Sequence, residues 1–328
     1  MALPLAAQER FRLALWHTGL GRDGPGLLLQ DIRRGEGDVL AVRDALVALA
    51  PDAAVLLDFD HDRDGLALEA FGRLMADGGH PMPIRLSPRP NSGLATGLDL
   101  DGDGRRGTPD DAQGWGRFAG SGGIALLSRR PLVADSLIDH SARLWRDLPG
   151  ARLPRVDGQP FPGPDVWAIQ RLSSTGHWEI TVTTPMGDLA LWTWHAGPPA
   201  FGGPHGRNRA RNADETAFWL RRLNGDFGPL PEQFVLLGGA NLDATAGDGD
   251  RAVMAELLAH PALQDPAPRA PPPQGGEALA ATAIWPDGPG ALRVDYLLPS
   301  AGLRVVDSGL IWPPGGGRHA LLWVDLAF

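Results

Sequence analysis

The sequence contains no cysteine, so it can form neither a disulfide nor a thiolate metal site. It contains no lysine either, and all 30 basic residues are therefore arginine, which we attribute to genome composition. No window approaches the roughly 18 apolar residues of a membrane-spanning helix. The start, MALPLAAQERFRLALW, lacks the basic region and apolar run of a signal peptide. We expect a cytoplasmic protein, or a secreted or periplasmic one if a leader is missing from this chain.

Acidic residues outnumber basic ones, which gives a net charge of -9 and a pI near 5.4. An acidic chain is a poor non-specific ligand for nucleic acid, although a local arginine patch can still bind phosphate. With 328 residues, 43% of them hydrophobic, the chain can bury a large core. It shows neither a linker nor an internal repeat, and we expect one domain over residues 1–328.

Short apolar runs alternate with a few helical patterns along the chain. The runs predict buried strands at Phe11–Trp16, Ala53–Leu57, Gly123–Ser128, Glu179–Thr184, Leu189–Trp194, Phe234–Leu237, Arg293–Leu298 and Leu321–Leu326. Helices are predicted at Val39–Leu49, with Asp38 as N-cap, and at Leu66–Met75, Asn212–Leu223 and Val253–Leu258. The turn from Thr184 to Asp188 predicts a hairpin, and Gly/Pro-rich loops are expected at 266–277 and 313–317.

Polar residues stand at the ends of several predicted strands. LLDFDHD ends a strand at Asp58, LWTWHAGPP ends one at His195, and LLGGANLD ends one at Asn241. LRVDYLLPS carries Asp295, and GGGRHALLWVD places His319 just before the last strand. Polar side chains that several strands deliver to one edge of a scaffold are typical of an active site.

These motifs, together with LSRRPL and WHAGPPAFGGPHGRNRARNADE, resemble the endonuclease/exonuclease/phosphatase family over nearly the whole chain. That family includes DNase I-like nucleases, sphingomyelinases and inositol phosphatases. The stretch GLDLDGDGRRGTPDDAQGWGRF is similar to a bacterial subgroup of it. The resemblance implies an α+β fold of two mainly antiparallel sheets covered by helices, an α/β/β/α sandwich. It also implies metal-assisted attack of water on a phosphoester, with Mg²⁺ as the usual cation.

Four positions keep the residues that the resemblance implies for the site. His195 and His319 match the two active-site histidines of the family, and Asp295 matches the carboxylate that orients the second histidine. Asn241 matches the asparagine of the family's Gly-Asp-x-Asn motif. We expect these four residues to form the catalytic centre. The alternative interpretation of the His319–Asp295 pair is a purely structural one.

Four other positions depart from the family pattern. His17 stands in place of an asparagine, and Asp58 stands in place of the metal-binding glutamate. Gly239 and Arg318 each stand where the family has an aspartate. Asp58 is then the only clear carboxylate for Mg²⁺, and tight binding of Mg²⁺ is not expected.

Arg318 changes the charge expected near the metal from negative to positive. Two cations about 4 Å apart at an effective dielectric near 20 repel by roughly 4 kcal/mol. One hypothesis places the Arg318 guanidinium where the metal would be, paired with Asp58 and offering a fixed positive charge to a phosphate. The alternative is an ordinary surface arginine in a loop.

The segment DLDGDGRRGTPD carries acids in a spacing typical of calcium loops. Asp99, Asp101, Asp103 and Asp110 occupy positions 1, 3, 5 and 12 of that pattern, with Gly104 at position 6. The loop ends in Asp rather than Glu, and no helix pair flanks it. Structural Ca²⁺ binding and a solvated acidic loop are the two interpretations.

The segment RNRARNADE offers a cluster of basic and amide side chains. Arg207, Asn208, Arg211 and Asn212 are candidates for a phosphate-binding groove. The spacing of Arg207, Arg211 and Glu215 also fits an ion-pair ladder on one helical face. Among the tryptophans, Trp194, Trp219 and Trp323 are expected in the core, whereas Trp16 and Trp115 lie near predicted loops and are candidates for stacking on a ligand.

Two functions follow from these patterns. One is a family member whose metal-site substitutions impair catalysis and which binds a phosphate-bearing ligand. The other is an active metal-dependent phosphodiesterase or nuclease that uses His195, Asn241, Asp295 and His319. The expected partner is a phosphoester small molecule or a nucleic acid.

Overall fold

The computed structural model describes residues 10–185, 187–203, 205–315 and 317–327. Some sequence predictions therefore fall outside the described residues. One is the absence of a signal peptide, which concerns residues 1–9. The others are the parts of the predicted turn and of the last predicted loop at positions 186 and 316.

The described chain folds into strands and helices that are numbered here in order. The strands are β1 (Arg10–Leu20), β2 (Ala53–Phe59), β3 (Ile84–Leu86), β4 (Gly123–Ser128), β5 (Ile138–Asp139), β6 (Arg155–Val156), β7 (Gln159–Pro160), β8 (Gly176–Thr184), β9 (Gly187–His195), β10 (Phe234–Gly239), β11 (Ala283–Trp285), β12 (Gly290–Leu292), β13 (Asp295–Pro299), β14 (Arg304–Ile311) and β15 (Leu321–Ala327). The α-helices are α1 (Leu27–Arg34), α2 (Gly37–Leu49), α3 (Leu66–Asp77), α4 (Pro164–Ile169), α5 (Arg207–Leu223) and α6 (Arg251–Leu258).

Two large sheets form the centre of the molecule. One has the strand order β14-β15-β1-β2-β4-β3, and the other has the order β13-β10-β9-β8-β5. Most neighbours are antiparallel, but β1 pairs with β2, and β9 with β10, in parallel. Parallel pairing brings the carboxyl ends of these strands to the same edge of their sheet, where the candidate site lies.

Alternation along β1 sets the layers. Phe11, Leu13 and Leu15 contribute to a core between the two sheets, whereas Ala14 and Trp16 contribute to a second core that helices α1 to α3 share with the outer face of their sheet. Successive residues of a strand point to opposite faces, so each face meets a different layer.

Helices α5 and α6 cover the second sheet in the same way. Phe218 and Trp219 of α5 pack with Trp192, Leu236 and Met254 in a third core. The result is an α/β/β/α sandwich, which confirms the predicted fold class. Both Trp194 and Trp219 are fully buried, as expected.

Some element boundaries differ from the predictions. Asp38 is not the N-cap of α2. It lies in the first turn after Glu36, and its carboxylate pairs with Arg22 at 2.7 Å. Helix α5 starts at Arg207, five residues before the predicted start. The sequence pattern missed these first turns because their buried side chains are largely polar and give no apolar periodicity. Trp16 is fully buried and donates to the carbonyl of His319 at 3.0 Å, so it has no free face for a ligand.

Among the described residues, no helix is both long and apolar enough to span a bilayer.

Candidate functional site

The strand ends that carry the predicted residues meet between the two sheets. In the register of the second sheet, Gly239 of β10 lies opposite His195 of β9 on one side and Asp295 of β13 on the other. Side chains two residues apart on a strand point to the same face. Gly239 and His195 therefore continue the rows of side chains on β10 and β9 that face the layer between the sheets. His17 extends the corresponding row of β1, two residues beyond Leu15. The period of the strands therefore gathers these side chains at one end of the sandwich.

Three imidazoles and one carboxylate form a compact group there. His319 Nδ1 lies 2.7 Å from Asp295 Oδ2. The ring of His17 stacks on that of His319, with centroids 4.0 Å apart and planes 11° from parallel. It meets the ring of His195 edge-on at 5.1 Å. The structure thus brings together His195, Asp295 and His319, and it adds His17 to them.

Burial keeps two of these imidazoles neutral. Burial lowers the pKa of His195 to about 4 and moves the pKa of His17 well below its usual range. The neighbouring histidines lower both pKa values further. Among the residues that the structure describes, neither His17 Nδ1 nor His195 Nδ1 has a hydrogen-bond partner. Both rings are therefore neutral at physiological pH and hold unused hydrogen-bonding capacity.

Asp58 sits in a tight backbone cradle at the end of β2. Its own φ is 55°, a left-handed conformation at a register irregularity of the strand. A Cβ on Gly21 would lie 2.5 Å from Asp58 Oδ1, and one on Gly122 would lie 2.6 Å from it, so only glycine fits at either position. Burial raises the pKa of Asp58, and the Gly21 backbone N–H partly offsets this.

Asp60 holds in place the backbone segments that surround the Asp58 side chain. Its two carboxylate oxygens accept from the backbone N–H groups of Arg22, at 2.9 Å, and Gly122, at 2.8 Å. Burial raises the pKa of Asp60 to about 6, against the opposing effect of these two bonds. Asp60 was not predicted as a site residue, although the motif LLDFDHD places it two residues after Asp58.

A cleft of about 700 Å³ opens over this group. Its floor includes the predicted residues Asp58, His195 and Asn241, together with His17. Asn241 adopts a φ of 50° and donates its amide to the carbonyl of Ala196 at 2.7 Å. The cleft then extends to Arg207, Asn208, Arg211 and Glu215 of α5, to Asp101 and Asp110, and to Trp115 and Phe201.

Arg207 is a buried guanidinium in the wall of the cleft. The residue is 6% exposed, and its Nε has no hydrogen-bond partner. Within the described ranges, no carboxylate lies in ion-pair contact with it. Burial lowers the pKa of Arg207, and the charges of Asp101, Asp110 and Asp111 only partly counter that effect.

Arg211 and Glu215 are occupied by the protein itself, and they do not form the ladder that their spacing suggested. Arg211 donates to four backbone carbonyls, including those of Leu172 at 2.9 Å and Ser173 at 2.9 Å. Glu215 accepts from Ser174 N at 2.5 Å and from Gly197 N at 2.9 Å. Burial raises the pKa of Glu215 to about 7. Glu215 was not predicted as a site residue.

The two asparagines of this segment also hold loops in place. Asn212 is fully buried and donates to the carbonyls of Gly197, at 2.8 Å, and Ala240, at 2.7 Å. It thus clamps together the ends of β9 and β10 and does not reach the cleft. Asn208 lines the cleft and donates to the carbonyl of Ala200 at 3.0 Å.

Arg318 does not occupy the metal position. The residue is exposed, it is not part of the cleft wall, and its backbone carbonyl accepts from Ile284 N at 3.0 Å. Within the described ranges it forms no ion pair with Asp58, so the structure does not bring the two together. The surface interpretation of Arg318 is the one that its position fits.

The donors at the floor do not fit Mg²⁺. This cation prefers octahedral oxygen ligands, usually including one or two carboxylates, whereas the floor offers the single carboxylate of Asp58 beside the imidazoles of His17 and His195 and the amide of Asn241. Gly239 leaves little room for the missing aspartate, because a Cβ there would lie 2.9 Å from Leu57 Cδ1 and 3.0 Å from His195 Cδ2. The residues present are therefore a poor match to the magnesium site that the resemblance implies.

The predicted calcium loop forms only in part. Asp99, Asp101 and Asp103 bring carboxylate oxygens within 4.8 Å of one another. Asp99 also accepts from Gly102 N at 2.6 Å and from Gly104 N at 2.8 Å, and these bonds close the turn. Asp110 lies apart from this group and lines the cleft together with Asp101.

Comparison with known proteins places this geometry in context. A model of the endonuclease/exonuclease/phosphatase family matches residues 27–319. No curated protein matches the chain significantly. The subgroup suggested by the GLDLDGDG loop has no support from these matches.

Solved structures share the fold at low identity. An endonuclease/exonuclease/phosphatase from Beutenbergia cavernae superposes with a TM-score of 0.61 at 18% identity, covering 97% of this chain and 72% of its own. Sphingomyelinase C from Streptomyces griseocarneus gives 0.53 at 18% identity, covering 98% of this chain and 100% of its own. The human Nocturnin catalytic domain with a bound sulfate anion gives 0.51 at 14% identity, covering 97% and 93%. These similarities show the DNase I-like fold.

Proposed function

The chain belongs to the endonuclease/exonuclease/phosphatase family, and on that premise we propose that it binds a phosphoester in the cleft over its histidine group. We further propose that the metal-site substitutions impair the magnesium-dependent hydrolysis that the family scaffold implies. Phosphoester binding and hydrolysis rest on different residues of the site.

The observation that carries the binding proposal is the buried guanidinium of Arg207, whose Nε has no hydrogen-bond partner and which forms no ion pair among the described residues. A buried charge without a partner costs several kcal/mol. Only 6% of the surface of Arg207 is exposed to solvent. Arg207 lines the same cleft as His17 and His195. A phosphate in that cleft accepts charge-assisted hydrogen bonds from the guanidinium and offsets the cost of burying it.

The position of Arg207 on its helix adds to this attraction. It is the first residue of α5, whose 17 residues direct the positive end of the helix dipole toward the cleft wall. The N-cap residue Gly206 supplies no side-chain cap. Positive potential from the helix end and the guanidinium therefore falls on one region of the cleft.

The donor set supports the impaired hydrolysis. Metal-assisted attack on a phosphoester needs a cation that neutralises the phosphate and binds the leaving oxygen. Asp58 is the single carboxylate on the floor, and its pKa is raised by burial. Gly239 contributes no ligand, and the exposed Arg318 does not substitute for the cation.

A second candidate function is active phosphodiester hydrolysis. The contact of 2.7 Å between His319 and Asp295 favours it, because a carboxylate that fixes the imidazole tautomer is the arrangement an acid or base catalyst needs. In that case the two residues act with His195 and Asn241, and a divalent cation of unspecified kind supplies charge neutralisation.

Calorimetric titration with inorganic phosphate tests the binding proposal. Arg207→Gln is the test variant, and Arg209→Gln is its matched control, because Arg209 lies on the same helix turn but is exposed. Loss of a charge-assisted contact predicts weakening of about 10- to 100-fold in Arg207→Gln, with Arg209→Gln close to wild type. Absence of phosphate binding by the wild type, or equal weakening in both variants, would contradict the proposal.

A further inference from the structure

Two aromatic side chains stand exposed on the wall of the cleft. Trp115 is 57% exposed and Phe201 is 90% exposed. Among the large apolar side chains that are exposed on the described residues, these two are the aromatic ones. Both line the cleft that is also lined by Arg207, His17 and His195. The aliphatic members of the exposed set are not part of that lining.

Both rings leave most of their surface in contact with solvent. Phe201 packs little of its ring against the protein, and Trp115 is contacted from one side by the Arg117 guanidinium, 5.9 Å from its ring centroid. A large aromatic surface left in water carries a hydrophobic cost. Rings that bear this cost at the edge of a cleft are typical stacking platforms for a flat ligand group.

The cleft therefore combines an anion partner with aromatic surface. We infer that it recognises a small phosphoester that carries a planar ring, with its phosphate at Arg207 and its ring against Trp115 and Phe201. The inference rests on the proposed function and names the class of ligand. The cleft volume of about 700 Å³ suits one ligand of mononucleotide size.

The acidic side chains of the cleft favour a small ligand over a nucleic acid strand. Asp101 and Asp110 lie in the same lining, and the whole chain carries a net charge of -9. A polyanion with many phosphates would meet these carboxylates, whereas a single phosphate next to Arg207 avoids most of that repulsion. The hydroxyl groups of a sugar are suitable donors to such carboxylates.

Calorimetric titration with AMP, ribose 5-phosphate and inorganic phosphate separates the contributions of ring and phosphate. Stacking predicts that AMP binds about 5- to 100-fold more tightly than ribose 5-phosphate. Phe201→Leu keeps an apolar side chain but removes the ring, and Trp115→Leu does the same at the other position. Each substitution should reduce the ratio of the two affinities several-fold without weakening ribose 5-phosphate.

Two further variants serve as controls for these titrations. Trp115→Phe keeps a ring and should retain most of the preference for AMP. Leu230→Ala removes an apolar side chain that is 41% exposed and outside the cleft lining, and it should leave all three affinities unchanged.

The outcomes distinguish this inference from the proposed function. Equal affinities of AMP and ribose 5-phosphate would overturn the ring inference and leave phosphate binding intact. No binding of any of the three would overturn both. Binding to phosphatidylcholine vesicles that Phe201→Leu abolishes, with no preference for AMP, would assign the aromatics to a lipid surface and also overturn the inference.

Discussion

His319 Nδ1 lies 2.7 Å from Asp295 Oδ2, and both side chains are buried at the end of the inter-sheet core. The contact links β13 of one sheet to the segment that leads into β15 of the other. It therefore joins the two sheets at the site, whatever chemistry the site performs.

Asp295→Asn should destabilise the protein by about 2 kcal/mol, because it removes a charged partner from a buried hydrogen bond. Urea unfolding monitored by circular dichroism measures this free energy. Asp307→Asn is the control, because Asp307 is exposed on the edge strand β14. A variant as stable as wild type would show that the contact contributes little to the fold.

Arg207 should behave in the opposite way. Replacing a buried, unpaired guanidinium by a neutral chain of similar size, as in Arg207→Met, removes the cost of burying a charge. In phosphate-free buffer, we expect the free energy of unfolding of the variant to equal that of wild type or to exceed it by about 1 kcal/mol. A loss of more than about 1 kcal/mol would mean that Arg207 is a structural residue.

Added phosphate should then stabilise wild type and not Arg207→Met. A ligand that binds only the folded state, at a free concentration 100 times its dissociation constant, adds about 2.7 kcal/mol to the free energy of unfolding. Thermal unfolding with and without phosphate compares the two proteins. An equal shift in both would place phosphate binding elsewhere on the surface.

Glu215 should make stability depend on pH. Burial raises its pKa from the ordinary value of 4.5 to about 7 in the folded state, so the folded state binds more protons than the unfolded state between these values. Stability from this group is fully present below about pH 4.5 and is lost as the pH rises through about 7. The loss is of the order of 3 kcal/mol for a shift of this size.

Glu215→Gln should remove this contribution, because the amide does not titrate. The free energy of unfolding, followed by urea from pH 4.5 to 7.5, should fall more steeply in wild type than in the variant. Asp60, whose pKa is raised to about 6, adds a slope of the same sign to both proteins and cancels in the comparison. Parallel pH profiles would show that Glu215 is ionised throughout.

Gly239 should resist restoration of the family aspartate. A Cβ at this position meets Leu57 Cδ1 at 2.9 Å and His195 Cδ2 at 3.0 Å, and crowding of a packed core costs about 1–3 kcal/mol. Gly239→Ala measures this steric cost alone. Gly239→Asp should cost more, since it adds a carboxylate whose Cβ lies 3.4 Å from Asp295 Oδ1. Equal stability of Gly239→Asp and Gly239→Ala would contradict the electrostatic part.

Strongly apolar segments were predictable from sequence, and weakly apolar ones were not. The predicted strands all lie within or overlap observed strands, because each carries a buried run. Strand β14 was missed because it lies at the edge of its sheet, with one of its eight residues buried. The early start of α5 was missed because Arg207, Arg211 and Asn212 bury polar side chains where the apolar period would normally show.

The meeting of polar side chains at one end of the sandwich was predictable where motifs carry those residues. His195, Asn241, Asp295 and His319 follow from matched motifs, and the strand period explains why His17 joins them. Contacts made by irregular loops were not predictable. Arg207 looks like one more arginine in RNRARNADE. Only the fold shows that its Nε is buried without a hydrogen-bond partner among the described residues, while Arg211 donates to loop carbonyls. Phe201 lies in a Gly/Pro-rich loop that has no periodic pattern.

The most direct test of the central claim is hydrolysis of an aryl phosphodiester at millimolar Mg²⁺, Mn²⁺ or Ca²⁺, with wild type beside His319→Ala. We expect wild type to turn over the substrate no faster than His319→Ala with any of the three cations, while it still binds phosphate through Arg207. Metal-dependent turnover by wild type that His319→Ala abolishes would contradict the account and establish the phosphodiesterase alternative.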